Sequence, residues 1–405
     1  MGVVRRYYLH RATVSVGFIT PVFTLFLLRT LSFPQVGALS ALSATLVVLF
    51  EVPTGYVADR FGQRASLALG LACSVLSLAG FVVATSFWEF VVLYVLWALG
   101  LTFQSGSGDA WLYEVLDERG DSESFTRVRG RGGAVTRYVS VLGMVAGGAL
   151  YGVDPTYPFV FALSLNALGV LVLATLPAVA ADAESVGVSE ALSVARTEFS
   201  KPPLRAFLVA VAAFLATTGV ANTYVQPTVV DALGASGFAD PGPVTLAGFS
   251  LAPGLALGVL YAAFTLVSAV AGQHAGWVGD AMGPWGAVVG VGALSATLLV
   301  VPVFVAQVAL PAFVVMRAGR AVVQPVANGY VNDHVPSAGR ATSLSAASMA
   351  YSLVRSPLAL AAGAYAGLVG PTLTVASLGV LFLAVGGVLG VLAWRQSAAG
   401  PAVVS

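Results

Sequence analysis

The chain has 405 residues, of which 58% are hydrophobic and only 9% charged, with a net charge of +1 and a mean hydropathy of +0.90. Soluble domains carry roughly 25% charged residues, so this composition excludes an ordinary soluble protein and specifies one whose solvent is lipid. Near-neutral charge without a basic, aromatic-interleaved stretch excludes a nucleic-acid surface. Cys73, the only cysteine, leaves no intrachain disulfide and no thiolate metal site.

A spanning helix needs about 20 apolar residues, because the bilayer core offers no water to backbone N–H and C=O groups. Breaks at Gly, Pro and charge divide the chain into about twelve such segments. The first is expected over 7–28, with Pro21 inside it; Arg5, Arg6, His10 and Arg11 spoil a cleavable signal peptide, so this helix is read as retained. The next are expected over 34–58, 65–85 and 89–116, followed by a charged loop over 117–130 that holds Arg119, Arg127 and Arg129. The fifth helix runs from Arg131 to about 151 and the sixth over 157–176.

The interval 177–205 is the one long polar stretch. Val188, Ala191, Leu192, Ala195 and Phe199 recur there at helical spacing opposite Glu190, Arg196 and Glu198, which predicts an amphipathic helix on the membrane surface. Helices seven to twelve are expected over 206–230, 247–271, 285–303, 308–332, 342–367 and 371–394. The predicted organisation is thus a six-helix bundle over 1–178, a linker over 179–205, a second bundle over 206–395 and a tail over 396–405.

Arg5, Arg6, Arg11, Arg60, Arg64, Arg119, Arg127, Arg129, Arg131, Arg196, Lys201, Arg205, Arg340 and Arg395 fall on one side of this map, and only Arg29 on the other. By the positive-inside rule both termini and the linker are cytoplasmic, in a cytoplasmic membrane.

The run Gly55-Tyr56-Val57-Ala58-Asp59-Arg60-Phe61-Gly62-Gln63-Arg64 recurs in degenerate form as Gly276-Trp277-Val278-Gly279-Asp280-Ala281-Met282-Gly283-Pro284-Trp285. From Gly55 to Gly276 is 221 residues, about half the chain, so two related halves are expected, each turning after its second helix. Gly55, Asp59, Arg60, Gly62 and Arg64 match the Gly-x-x-x-Asp-Arg-x-Gly-Arg-Arg signature that joins helices 2 and 3 in the major facilitator superfamily, and the whole chain resembles that family in helix number and mid-chain linker. Gln63 departs from the pattern. Glu51 to Gly55 and Arg340 to Ser345 resemble segments of its drug-exporter-like branches.

The resemblance implies an all-α polytopic membrane protein of two pseudo-symmetric six-helix bundles that expose a midplane site to each side in turn. It also implies a gating latch of Gly55, Asp59, Arg60, Gly62, Arg64, Asp280 and Arg340. In that latch Asp59 accepts hydrogen bonds at the start of helix 11, near Thr342 to Ser345, while Arg60 and Arg64 meet Glu114, Asp117 or Glu118.

Charges within spanning segments are costly, at least ~2.5 kcal/mol on insertion scales, and normally face a cavity or a partner. At ~1.5 Å rise per residue, Glu51, Asp109 and Arg137 share one depth and can meet. A carboxylate between a proton and an arginine suits proton coupling, with Asp109 first and Glu51 second; a static ion pair that fixes packing fits the same placement. Gly106 and Gly108 are expected to permit close helix approach. In the second half Arg317, Arg320 and Arg355 suit an anionic substrate group, a partner in Glu51 or Asp109, or plain snorkelling. Asn222, Tyr224, Gln226, Gln324 and Asn328 complete a candidate substrate cavity.

Two exporter features are altered: 93–100 carries no arginine, and a Gly-Pro-x-x-Gly-Gly pattern stands here as Gly143-Met144-Val145-Ala146-Gly147-Gly148. His10, His274 and His334 lack metal-ligand spacing, and no phosphate-binding Gly-x-x-x-x-Gly-Lys loop occurs, so neither metal, cofactor, enzymatic activity nor ATP is expected. The expected function is export of a small organic solute by a monomeric secondary transporter with the proton as coupling ion. Symport, facilitative uptake and a transport-inactive sensor remain the alternatives.

Overall fold

The computed structural model describes residues 2–179, 202–234, 237–238, 242–246, 248–335 and 340–398, without the side chains of 202–203, 246, 340–346 and 389–398. Helix dominates it. The elements are α1 (Val3–Thr13), α2 (Phe23–Leu28), α3 (Phe33–Phe61), α4 (Gln63–Val83), α5 (Phe87–Gln104), α6 (Ser107–Asp117), α7 (Phe125–Tyr151) and α8 (Tyr157–Ala174). After residue 201 come α9 (Pro202–Ala221), α10 (Val225–Ala232), a hairpin of β1 (Val244–Leu246) and β2 (Phe249–Leu251), then α11 (Pro253–Gln273) and α12 (Ala275–Gly286). The chain continues through α13 (Gly292–Val300), α14 (Ala309–His334), α15 (Arg340–Val369) and α16 (Pro371–Ala398).

Eleven segments among the described residues are long and apolar enough to cross a membrane. Large apolar side chains such as Leu76, Trp88, Leu142, Leu171, Leu294 and Leu368 point outward. In water such a surface would be untenable; in lipid it is the expected one.

The first segment differs from the single helix expected over 7–28. It breaks between α1 and α2, where 14–22 run as turns. Pro21 removes a helical donor, and within the unwound stretch Gly17 N–H donates to Ser15 Oγ at 3.2 Å, while the hydroxyls of Ser15 and Ser140 lie 2.9 Å apart. This irregular stretch beds into α7. A Cβ on Gly17 would stand 2.4 Å from the carbonyl oxygen of Ser140, and one on Gly147 would stand 1.9 Å from that of Phe18.

The fourth segment is also broken. Ser105 and Gly106 separate α5 from α6, and Gly106 takes φ +74°. Space around Gly106 and Gly108 is open, so Gly106 serves a positive dihedral and not the close helix approach expected of it. The loop after α6 is shorter than predicted, because α7 starts at Phe125 and carries Arg127 and Arg129 on its first turns. The seventh segment passes through a 3-10 turn at Asn222–Tyr224. The hairpin, with Val244 opposite Leu251, occupies the start of the eighth helix as predicted, so α11 begins only at Pro253.

Gly62 ends α3 at φ 87°, ψ 152°, and Gly283 breaks α12 at φ 69°, ψ 163°. Both fall in a region open essentially to glycine alone. They occupy equivalent places in the two copies of the repeated run, so the duplication read in the sequence is a duplication of backbone geometry at this turn. The second copy lies in α12, which follows α11 after a break at His274, further along than the expected helix end at 271.

Contacts divide the chain into two compact units, 1–185 with 234–263, and 186–233 with 264–405. In the first, Tyr7, Leu71, Trp111, Leu112 and Leu173 form a core, and Trp111 Nε1 donates to the Pro177 carbonyl at 3.0 Å. The first unit also contains the close meeting of α7 with the start of α11, where a Cβ on Gly148 would lie 2.2 Å from the Gly254 carbonyl oxygen. Phe207, Phe214, Val288, Val323 and Phe382 form the core of the second. The amphipathic linker helix expected around 188–199 lies outside the described residues.

Candidate functional site

The Gly55–Arg64 run occupies the last two turns of α3 and the first of α4. Asp59 and Arg60 are exposed. Arg60 Nη1 donates to the Tyr56 hydroxyl at 2.8 Å and its guanidinium lies 5.9 Å from the Phe61 ring centre. Arg64 Nη2 donates to the Ala174 carbonyl at 2.8 Å, and Arg6 Nη1 donates to that of Thr175. The two basic residues of the run therefore do not go to Glu114, Asp117 or Glu118 as expected. The reason for Arg64 is the C-terminus of α8, whose last carbonyls have no helical partner and carry the negative end of the helix dipole. Asp280 is exposed on α12, and the side chain of Arg340 lies outside the described residues.

The break in the fourth segment stands between two carboxylates. Ser105 Oγ donates to Glu51 Oε1 at 3.4 Å. On the far side of the break Asp109 Oδ2 lies 2.7 Å from Arg129 Nη2, with both side chains half-exposed. Arg129, and not Arg137, is thus the cation for Asp109; Arg137 sits two helical turns further along α7, exposed. Arg129 went unrecognised because the sequence reading put it in a loop. The signal that places it on a helix is the spacing of Gly132, Thr136, Ser140, Gly143 and Gly147, one small residue every three or four positions. Each faces the first segment: Gly132 meets Tyr7, Thr136 Oγ1 donates to the Arg11 carbonyl at 2.8 Å, and Gly143 and Gly147 meet Phe18.

In the second unit three arginines converge on α9. Arg320 Nη1 donates to the Leu215 carbonyl and to Thr218 Oγ1, both at 2.7 Å. Arg317, one turn earlier on α14, donates from Nη2 to Asn222 Oδ1 at 2.7 Å and lies 5.4 Å from the Phe264 ring centre. Arg355 comes from α15: a Cβ on Gly219 would lie 3.5 Å from Arg355 Cδ and from Arg320 Nη1. Tyr224 and Gln226 are buried at the start of α10, whereas Gln324 and Asn328 are exposed on α14. Sequence reading named the arginines but not their seat, Leu215, Thr218 and Gly219, which read as ordinary spanning residues.

A family model described as Major Facilitator Superfamily matches residues 12–357. Among curated proteins the chain is 27% identical over 156 residues to the uncharacterized MFS-type transporter YxaM of Bacillus subtilis (strain 168), a match that spans 38% of each chain. Among solved structures it resembles the nucleoside transporter NupG at a TM-score of 0.80 and 11% identity, over 96% of this chain and 99% of that one. It resembles a D-xylose-proton symporter at a TM-score of 0.66 and 14% identity, over 96% of each chain. These last two likenesses establish the fold.

Proposed function

Because the chain belongs to the major facilitator superfamily, we propose that this multi-pass membrane transporter exports a small organic solute by alternating access in exchange for protons. The observation that carries the proposal is the helix break at Ser105–Gly106, flanked by the Glu51 carboxylate on one side and the Asp109–Arg129 pair on the other. A carboxylate beside a cation holds its proton weakly and one removed from it holds it more strongly. A discontinuous helix is a natural pivot for changing that distance, so motion about the break links proton binding to exposure of the solute site. Asp109 is the coupling carboxylate, Arg129 its counter-ion, and Glu51 a second proton site.

The distribution of basic residues supports a cytoplasmic membrane with both termini on the cytoplasmic side. The Gly55–Arg64 turn and its copy around Asp280 serve as the gating elements, with Arg64 anchoring the first to α8. The likeness to a nucleoside transporter and to a D-xylose-proton symporter supports a small solute.

The test uses purified protein in proteoliposomes, with a solute selected by thermal-shift screening. Wild type drives that solute uphill when a pH gradient is imposed, and the sign of the gradient that works gives the direction. Asp109→Asn loses uphill movement while retaining solute-for-solute exchange. Undiminished uphill flux in Asp109→Asn rejects Asp109 as the coupler, and binding without any counterflow rejects transport in favour of a sensor.

A further inference from the structure

We infer that Arg317, Arg320 and Arg355 form the seat for a carboxylate or phosphate group, so that the transported solute is a small organic anion. This inference rests on the transporter reading above and adds the substrate class.

Three arginines gather where a membrane protein can least bear them. Arg317 and Arg320 are the ninth and twelfth residues of the 26-residue α14, and Arg355 the sixteenth of the 30-residue α15, so all three stand well inside spanning helices. A guanidinium stays protonated under all ordinary conditions, so the charge cannot be discarded.

Among its described residues the second unit has few carboxylates to answer it. Its acidic residues among those described are Asp231, Asp280 and Asp333. Asp231 is next to the last residue of α10 and takes a hydrogen bond from Thr372 Oγ1. Asp333 is next to the last residue of α14, thirteen positions beyond Arg320, and Asp280 is on α12. The acceptors that Arg320 and Arg317 reach here are neutral: the Leu215 carbonyl, the Thr218 hydroxyl and the Asn222 amide oxygen. Such acceptors orient a guanidinium without cancelling its charge.

The seat is also shaped. Arg320 and Arg355 both come within 3.6 Å of the point where Gly219 would carry a side chain. The absence of that side chain lets two like charges approach one spot. The 3-10 turn that follows at Asn222–Tyr224 re-aims the backbone and brings the Asn222 amide to Arg317. Phe264 holds the same guanidinium by its ring face, a contact that favours a cation. Like charges assembled this closely repel, and a bound anion relieves the repulsion while taking paired N–H donors in the fork geometry that suits carboxylate and phosphate oxygens.

The test reads the local charge directly, without requiring the natural solute. Cys73→Ser removes the only thiol, and Gln324→Cys places a reporter on the exposed side of α14, one turn from Arg320. The anionic reagent methanethiosulfonate ethylsulfonate and its cationic trimethylammonium counterpart are reacted with the detergent-purified protein, each rate divided by that with free 2-mercaptoethanol. The expected ratio favours the anionic reagent by tenfold or more, and Arg355→Gln in the same background reduces it at least threefold. Succinate, benzoate or inorganic phosphate at millimolar concentration is expected to slow the reaction, while succinamide and benzamide do not.

A ratio at or below unity with all three arginines intact overturns the inference whether or not the Gln variant folds. So does equal protection by the amides, or none by any of the three anions. These readings are independent of flux, so a protein that moves nothing across a bilayer yet shows the anionic preference would lose the transporter reading and keep this one. One that carries a neutral solute uphill with a ratio near unity would do the reverse.

Discussion

Gly147→Ala is the sharpest perturbation available. A methyl group at this position would stand 1.9 Å from the carbonyl oxygen of Phe18 and 2.7 Å from its Cα. Ordinary contact requires the broken first segment to retreat by about 1.5 Å. The clashing atoms are backbone, so no rotamer change relieves them. Overpacking of this kind costs about 1–3 kcal/mol, against which alanine in a helix interior recovers about 0.5–1 kcal/mol relative to glycine. A net loss of about 1–2 kcal/mol should lower the melting temperature of the detergent-solubilised protein by a few degrees.

Two controls share the chemistry but not the cause. Gly106→Ala meets nothing within 4 Å, yet forces a side chain to φ +74°, a strain of about 1–2 kcal/mol. Gly108→Ala meets neither obstacle, so it should be neutral or stabilising by about 0.5 kcal/mol. Differential scanning fluorimetry on the three variants checks the order. If Gly147→Ala melts at or above wild type while Gly108→Ala falls, the packing of the first segment against α7 is not as described here.

Gly62→Ala and Gly283→Ala should each cost about 1–3 kcal/mol, because both positions demand a dihedral that a Cβ resists; similar losses in thermal melts are expected, and a loss at one position alone would break their equivalence. Asp154 accepts hydrogen bonds from Thr156 N–H at 2.7 Å and Thr156 Oγ1 at 2.6 Å, which hold its carboxyl below the usual aspartate range, with Arg29 adding to the effect. Its contribution is therefore complete above the unfolded value of about 3.9 and disappears as pH falls through the lower folded value. The gap in melting temperature between wild type and Asp154→Asn should be steady from pH 5 to 8 and shrink progressively as pH falls below about 4; a gap that widens on acidification would contradict this. For transport, Arg129→Gln should impair proton-driven uphill flux as Asp109→Asn does, whereas Arg137→Gln, whose side chain is not the one paired with Asp109, should leave the proton requirement in place, as measured by accumulation at several imposed pH gradients.

Composition alone determined that this chain spans a membrane, since a backbone in lipid must satisfy itself and only long apolar helices do so. The repeated run around Asp59 and Asp280 located the duplication, because the glycine that closes each copy is dictated by a local dihedral, and local demands are written in local sequence. The three arginines within the spanning helices of the second half were legible for the same reason: an ion is conspicuous among apolar residues.

Tertiary structure decided what those residues touch. Nothing local distinguishes Arg129 from Arg137 as the partner of Asp109, because the choice depends on how α6 lies against α7. The glycines of 143–148 read as a degraded motif until the packing showed Gly143 and Gly147 receiving the unwound first segment and Gly148 receiving α11. The break at 14–22 falls in a run that stays largely apolar through Pro21, and the polar run Gln104-Ser105-Gly106-Ser107-Gly108-Asp109 at the other break is equally compatible with a small-residue helix contact, so periodicity could not settle either. There the backbone leaves the helix because serine hydroxyls, a positive-φ glycine and a close neighbour make another path affordable, and that is a property of the assembled fold.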